Sequence, residues 1–464
     1  MFMKKIFSVV LCLSILFALS GCQKKDPDNG KLVTGDQMVQ FQIWTAQHKD
    51  FLSAIGREFI SSTGETRLQI KVVEFDDDAQ LQKILVEKMA EGAGPDLVFT
   101  EGEWVTSNTK KLLPAANQAF NAAAYQSTFV RAANDTLIHE GEVYGVPFSV
   151  DSLALVYNDD HVVDTLLDRN NPGETWQQFK SDTELLSITD NSFERFTRSG
   201  AALGRMDNLH YGYEILENML TQRGVKIFND EGTASAIASK TGVSSSGQRV
   251  NHGENAFEDF VSYADPRYKN FSWSEFLANP NEENKEFQTF AEEKTSMIFA
   301  KAGDLETIEN LAARTPGGLS SRDIRVAALP QFSATNKEVI GYPMVLVVPQ
   351  STKLSKIAWK ILEYTTDKAV HTKFYETTGL PSSRLDLIAE QSQHPQLGVW
   401  ARQAKYARAQ TYPADKREIK ESFAILVQKI NTGQIAINRG IKELEDYWTR
   451  YVEKFVKRQQ EIEG

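Results

Sequence analysis

Apolar and polar residues alternate through Val39–Thr45 (VQFQIWT), the period of a half-buried strand, and Phe51, Leu52, Ile55 and Phe59 then recur at helical spacing until Gly64. Alternation returns at Leu68, Ile70 and Val72. Asp76, Asp77 and Asp78 offer N-cap oxygens to a helix whose apolar face is Leu81, Ile84, Leu85 and Met89, and Gly92 is its natural stop. Asp96-Leu-Val-Phe-Thr100 reads as a short buried strand. The order strand, helix, strand, helix, strand predicts parallel strands with right-handed crossovers, and so an α/β fold.

After Tyr144-Gly-Val-Pro-Phe148 the pattern turns mostly helical, with helices expected at Gly212–Gln222 and at residues 254–263, 285–293 and 355–364. Two strand-like runs interrupt it, Thr295-Ser-Met-Ile-Phe-Ala300 and Pro343-Met-Val-Leu-Val-Val348. Residues 230–253, rich in Ser, Gly and Ala, read as surface loop, and no internal repeat is present. At 464 residues the chain is long enough for two or three domains.

The amino terminus has a different character. Lys4 and Lys5 precede a predominantly apolar run over residues 6–19, interrupted by Ser8 and Ser14, which is followed by Ser20, Gly21 and Cys22. This resembles a bacterial lipoprotein signal, in which residues 1–21 are removed and Cys22 carries the lipid. The run falls short of the ~20 residues that a bilayer span requires. Residues 22–37, polar with Pro and Gly, are expected to form a flexible tether. Loss of Lys4 and Lys5 takes the formal net charge from −11 to −13, and such an acidic balance argues against a nucleic-acid partner. The other cysteine, Cys12, lies inside the signal, so the exported body is expected to have neither a disulfide nor a thiolate metal site.

Open parallel sheets bind ligands beyond the carboxyl ends of their strands. Those ends place Trp44, Gln47, His48, Glu101, Glu103 and Trp104 along one edge. Trp44 and Trp104 offer ring faces, and the carboxylates offer hydrogen-bond acceptors.

Further segments carry a family resemblance: Gly92-Ala-Gly-Pro-Asp-Leu-Val98, Tyr144-Gly-Val-Pro-Phe-Ser-Val-Asp-Ser-Leu-Ala-Leu-Val-Tyr-Asn158, Glu174-Thr-Trp176 and Thr197-Arg-Ser-Gly-Ala-Ala-Leu-Gly204. They are followed by Phe290-Ala-Glu-Glu-Lys-Thr-Ser-Met-Ile-Phe299, Val326-Ala-Ala-Leu-Pro330, Ala358-Trp-Lys360 and Thr378-Gly-Leu-Pro381. In this order they resemble the extracellular solute-binding proteins of ABC importers, in the carbohydrate-binding branch that includes maltose-binding protein. The resemblance implies two α/β lobes around a hinge, with residues 38–147 and 325–380 in the N-terminal lobe and residues 148–324 and 381–464 in the C-terminal lobe. It implies a monomer, tied to the outer face of a bacterial membrane, that closes on a sugar or other small polar solute and presents it to the transmembrane subunits of a permease. It also places Trp44, Glu103, Trp104 and Asp151 at ligand contacts. Where relatives carry an aromatic after the Met-Ile-Phe strand, this chain has Lys301-Ala-Gly-Asp304, so Asp304 becomes an acceptor for hydroxyls or for a cation, and Tyr342 and Tyr412 become candidate replacement rings.

No HExxH, P-loop or dinucleotide-binding glycine set occurs, and no cofactor or metal is expected. Gly242-Val-Ser-Ser-Ser-Gly247 is one residue too long for a nucleophile elbow. The rival reading is an exported carbohydrate-active hydrolase using Glu101 or Glu103 with Asp151 as its carboxylates. A surface scaffold with a vestigial cleft is the third.

Overall fold

The structure is a computed structural model that describes residues 32–33, 37–115, 120–190, 196–244 and 246–463. Cys22 and most of the expected tether lie outside the described residues. Leu32 and Val33 do not hang free: their N–H groups donate to the Glu65 carboxylate at 2.6 and 3.3 Å, and the Val33 carbonyl accepts from Arg67 at 2.8 Å.

The opening pattern folds as its periodicity dictates. Strand β1 (Val39–Thr45), helix α1 (Lys49–Thr63), strand β2 (Leu68–Glu74), helix α2 (Asp78–Ala90) and strand β3 (Leu97–Glu101) follow in turn. Both β2 and β3 pair with β1 in parallel. Gly64, at φ 69°, closes α1 by donating to Ile60 O, and Asp77 caps α2 by accepting from Gln80 N at 2.7 Å. Helix α3 (Gly102–Asn108) leaves directly from the end of β3.

Strand β4 (Gly145–Ser152) belongs to the same large sheet, whereas strand β5 (Ala154–Asn158) is the centre of a separate small one. Helix α4 (Gly212–Gln222) then precedes strands β6 (Met297–Ala300) and β7 (Ile324–Ala327), which flank β5 on either side and run antiparallel to it. The chain returns to the large sheet as β8 (Val339–Val347), which pairs antiparallel with both β3 and β4. Helix α5 (Lys368–Thr378), helix α6 (Gly398–Ala404) and the short strand β9 (Ala407–Arg408), paired with β8, come next. Two long helices, α7 (Lys416–Asn431) and α8 (Ile437–Glu463), finish the chain against the second lobe. Within residues 230–253, expected to be loop, Thr241–Val243 and Arg249–Asn251 form a small hairpin.

Each lobe has its own aromatic core. Phe51, Phe99, Phe148 and Phe374 interlock in the first, with ring centroids 5.0–6.2 Å apart. Trp176, Phe179 and Phe299 do so in the second, and the Trp176 indole donates to Gln222 at 2.8 Å.

The passages between lobes fall later than the sequence suggests. Pro147 does not end its strand, because it borders a bulge in β4, where Phe148 is the extra residue between the pairs Pro147–Val345 and Ser149–Met344 and a missing N–H is tolerated. Pairing then continues to Ser152, aided by Gly341, where a Cβ would come within 2.8 Å of Val150 and Ala132. The first passage is therefore at Leu153. Arg325 lies on β7 in the small sheet, so the return follows Ala327. Ser382 bridges to Ser149, and β9 joins the large sheet, so the chain commits to the second lobe only at α7. Gln403 binds the passages together: its fully buried amide donates to Ser152 Oγ and Leu153 O, both at 2.9 Å, and accepts from Leu329 N at 2.8 Å.

Candidate functional site

The register of β4 against β8 sets Asp151 opposite Tyr342, and directly opposed residues share a face of the sheet. The Asp151 carboxylate reaches across to the second lobe, accepting N–H groups from Ala302 at 3.0 Å and Gly303 at 3.3 Å as well as from its neighbour Ser152 at 2.7 Å. Burial pushes its pKa up to about 6, against the pull of those N–H donors and of Lys301.

Lys301 follows β6 directly. Its ammonium lies 4.1 Å from the Tyr342 ring centroid and 5.2 Å from that of Tyr211. Asp304 accepts the Lys301 N–H at 2.8 Å and is hydrogen-bonded to the Tyr211 hydroxyl.

Helix α4 contributes the largest share of buried charge. Residues Gly212 to Leu220 are all buried, yet two of them are glutamates. Glu214 is ion-paired to Lys420 of α7. Burial would raise its pKa, but Lys420, Lys416 and Lys301 together draw it below the ordinary value. Glu217 receives the hydroxyls of Tyr213 and Tyr342, each at 3.4 Å, and burial reinforced by Glu103 and Glu214 pushes it up to about 7. Asn218 fastens the helix to β8 by accepting Ile340 N at 2.9 Å.

Glu103 on α3 pairs with Lys416, the first residue of α7. The same ammonium lies 4.8 Å from the Tyr342 ring centroid and 6.0 Å from that of Tyr412. Burial disfavours its charge, but Glu103, Glu217 and Glu214 more than offset this and hold it above the usual lysine range. Ser107 of α3 donates to the Tyr412 carbonyl at 3.0 Å, while the buried Tyr412 hydroxyl has no hydrogen-bond partner.

Five of the expected residues are thus brought together: Glu103, Asp151, Asp304, Tyr342 and Tyr412. Two others, Gln47 and Glu101, gather instead at the edge of the large sheet around Asp78. Gln47 donates to Asp78 at 3.0 Å, and burial with the nearby charge of Glu101 pushes the Asp78 carboxyl up to about 6. Trp44 is buried on its own strand, its ring 5.1 Å from that of Phe75 and its indole N–H donating to Gln42 at 3.2 Å. Trp104 follows Glu103 on α3, half-buried against the core. The charge of Asp77 reaches Arg417 at the start of α7, so the edge group borders the inter-lobe group.

Sequence reasoning missed Tyr211, Tyr213, Glu214, Glu217, Lys416 and Lys420. For the glutamates a signal did exist: two carboxylates three apart inside a helix that is otherwise apolar are expensive unless partnered. The lysines carried none, because α7 is amphipathic and charged along most of its length.

Rings, carboxylates and ammonium groups of both lobes thus meet in one group. Glu103 is engaged by Lys416, and both Asp151 oxygens are engaged by backbone N–H groups, so neither carboxyl is disposed as a free acid or base. Among the described residues no cluster of three or more His, Cys, Asp or Glu could hold a metal ion, and no helix is long and apolar enough to cross a membrane.

The fold is similar to that of the sugar-binding protein MalE from Xanthomonas citri, with a TM-score of 0.73 at 14% identity over 92% of this chain and 99% of that one. It is also similar to a solute-binding protein of an ABC transporter from Thermotoga lettingae bound to α-D-tagatose, with a TM-score of 0.65 at 20% identity over 90% of this chain and all of that one. In sequence, a binding protein of Brucella abortus is 20% identical over 347 residues, 74% of this chain and 75% of its own. The galactooligosaccharide-binding protein of Bacillus subtilis is 24% identical over 246 residues, 53% of this chain and 52% of its own. The model of the bacterial extracellular solute-binding protein family matches residues 54–399. The chain belongs to that family.

Proposed function

We propose that the protein captures a saccharide between its lobes and delivers it to the membrane subunits of an ABC importer, without altering it, while tethered outside the cell through a lipid on Cys22. The observation that carries this reading is the convergence at the hinge of Asp151, Tyr342 and Glu103 from the first lobe with Tyr211, Glu217 and Lys301 from the second. Tyrosine faces suit the C–H faces of a pyranose, and fixed acceptors and donors suit its hydroxyls. A solute that bonds to both halves stabilises the closed arrangement over the open one by its differential affinity. The sugar-binding names among the similar proteins support the saccharide class.

The test is a thermal-shift panel of neutral, acidic and amino saccharides, amino acids and polyamines on the purified protein. A genuine ligand at a hundred times its Kd adds about 2.7 kcal/mol of stability. Stabilisation by saccharides, with each recovered chemically unchanged, is the expected result. A response confined to amino acids or polyamines would overturn the saccharide assignment. Conversion of a bound saccharide to a smaller product would restore the hydrolase reading.

A further inference from the structure

Five carboxylates meet three ammonium groups where the lobes touch. Glu103 pairs with Lys416, and Glu214 with Lys420. The other three carboxylates have hydrogen bonds but, among the described residues, no ion pair. Asp151 accepts three backbone N–H groups, Asp304 the Lys301 N–H and the Tyr211 hydroxyl, and Glu217 two tyrosine hydroxyls. Within this described group Lys301 is the cation left to offset them, and its charge already acts on Asp151 and Glu214. The group is therefore short of positive charge when every carboxyl is ionised, and Asp78 and Glu101 at the adjoining edge add charge of the same sign.

Protons make up part of the deficit. Burial, reinforced by Glu103 and Glu214 and opposed by Lys416 and Lys420, keeps a proton on Glu217 up to about pH 7. A cation brought in by a solute would take the place of that proton, because an opposite charge nearby favours the ionised carboxyl. The rings suit the same kind of group. Tyr342 has the ammonium groups of Lys301 and Lys416 at 4.1 and 4.8 Å from its centroid, and Tyr211 has that of Lys301 at 5.2 Å, while their hydroxyls go to Glu217 and Asp304. Ring faces backed by carboxylates favour an ammonium over a hydroxyl, which gains nothing from the negative balance.

We infer that the solute carries a protonated amine, so that the ligand is an amino saccharide whose ammonium is received beside Glu217 and Asp304. The inference rests on the saccharide reading above. It also sets the direction of selectivity. Saccharides with a hydroxyl or an N-acetyl group in place of the amine bind more weakly, and uronates, whose carboxylate would meet this excess of carboxylates, bind weakest.

The test uses the intact protein and an array of glucosamine, galactosamine and chitosan oligosaccharides, their hydroxyl and N-acetyl counterparts, and uronate saccharides. Calorimetric titration of the best amino hit and its hydroxyl counterpart follows. The amino compound is expected to bind more tightly, and that preference to shrink as salt rises. Titration at about pH 6.5 in two buffers of different ionisation enthalpy should show a proton released from Glu217 with the amino compound and none with its counterpart. Glu217→Gln should weaken binding of the amino compound by about thirtyfold or more and abolish the proton release, and Asp304→Asn should narrow its advantage over the hydroxyl counterpart. Should either variant not fold, the salt dependence and proton release of the wild type carry the same decision. A preference for hydroxyl, N-acetyl or uronate saccharides overturns the inference and leaves the saccharide reading standing, as does amino-saccharide binding that is indifferent to salt and to both substitutions. An array without any saccharide hit overturns both.

Discussion

Glu103 and Lys416 meet as an ion pair across the cleft, one from the helix that leaves β3 and the other from the first turn of α7, with only 12% and 14% of their side chains exposed. A pair this enclosed gains little over an apolar contact of the same shape, but each partner is costly to strand alone. Glu103→Gln or Lys416→Met alone is expected to lower stability by about 2–4 kcal/mol in urea unfolding. The double variant should recover much of that loss. Additive losses would mean that the two side chains do not interact in solution.

The raised carboxyls give the fold a definite pH response. Unfolded Asp and Glu titrate at their model values of 3.8 and 4.5, whereas folded Asp151 titrates at about 6 and Glu217 at about 7. Between those limits the folded state binds more protons than the unfolded chain, so these two groups make stability fall as pH rises from about 4 to about 7. Glu217→Gln, which cannot ionise, should flatten the upper part of that slope and gain most over the wild type at pH 8. Denaturant midpoints measured from pH 5 to 8 check this, and parallel curves for the two proteins would contradict it.

Tyr412→Phe removes a buried hydroxyl that has no partner. The unliganded protein should therefore be unaffected or slightly more stable, since no hydrogen bond is lost. If the hydroxyl is reserved for the solute, affinity should fall by about 1 kcal/mol, or roughly fivefold. Calorimetry on the ligand from the saccharide panel measures that change, and an unchanged affinity would return Tyr412 to a packing role.

Gln403→Ala would strand the Leu329 N–H and the Leu153 carbonyl inside the protein. A loss of about 2–4 kcal/mol in unfolding free energy is expected, in keeping with unsatisfied buried polar groups. Gln403→Glu should also be poorly tolerated, because it keeps the acceptor for Leu329 and loses the donor to Ser152 and Leu153.

Much of the architecture was legible because it is local. The alternation through Val39–Thr45, the Asp77 cap and the Gly64 stop are decided within a few residues and appear where expected. The lobe boundaries are not local. Whether Pro147 ends a strand depends on its pairing with β8, almost two hundred positions away in the chain, and nothing near Pro147 reports that partner. The site divides in the same way. Glu103 was expected because it adjoins a readable strand end and Asp151 because the family resemblance points to it, while Lys416 lies beside Glu103 through a contact between segments that pattern cannot align. Trp44, a ring at a strand's carboxyl end, lies apart from that group and packs against Phe75, just beyond the neighbouring strand.

Leu329, Leu153 and α6 are remote in sequence, yet one amide side chain serves all three. The passages at Leu153 and after Ala327 are therefore tied to one another through α6. A swing of the lobes that keeps these bonds would have to be taken up by backbone rotations on either side of that knot.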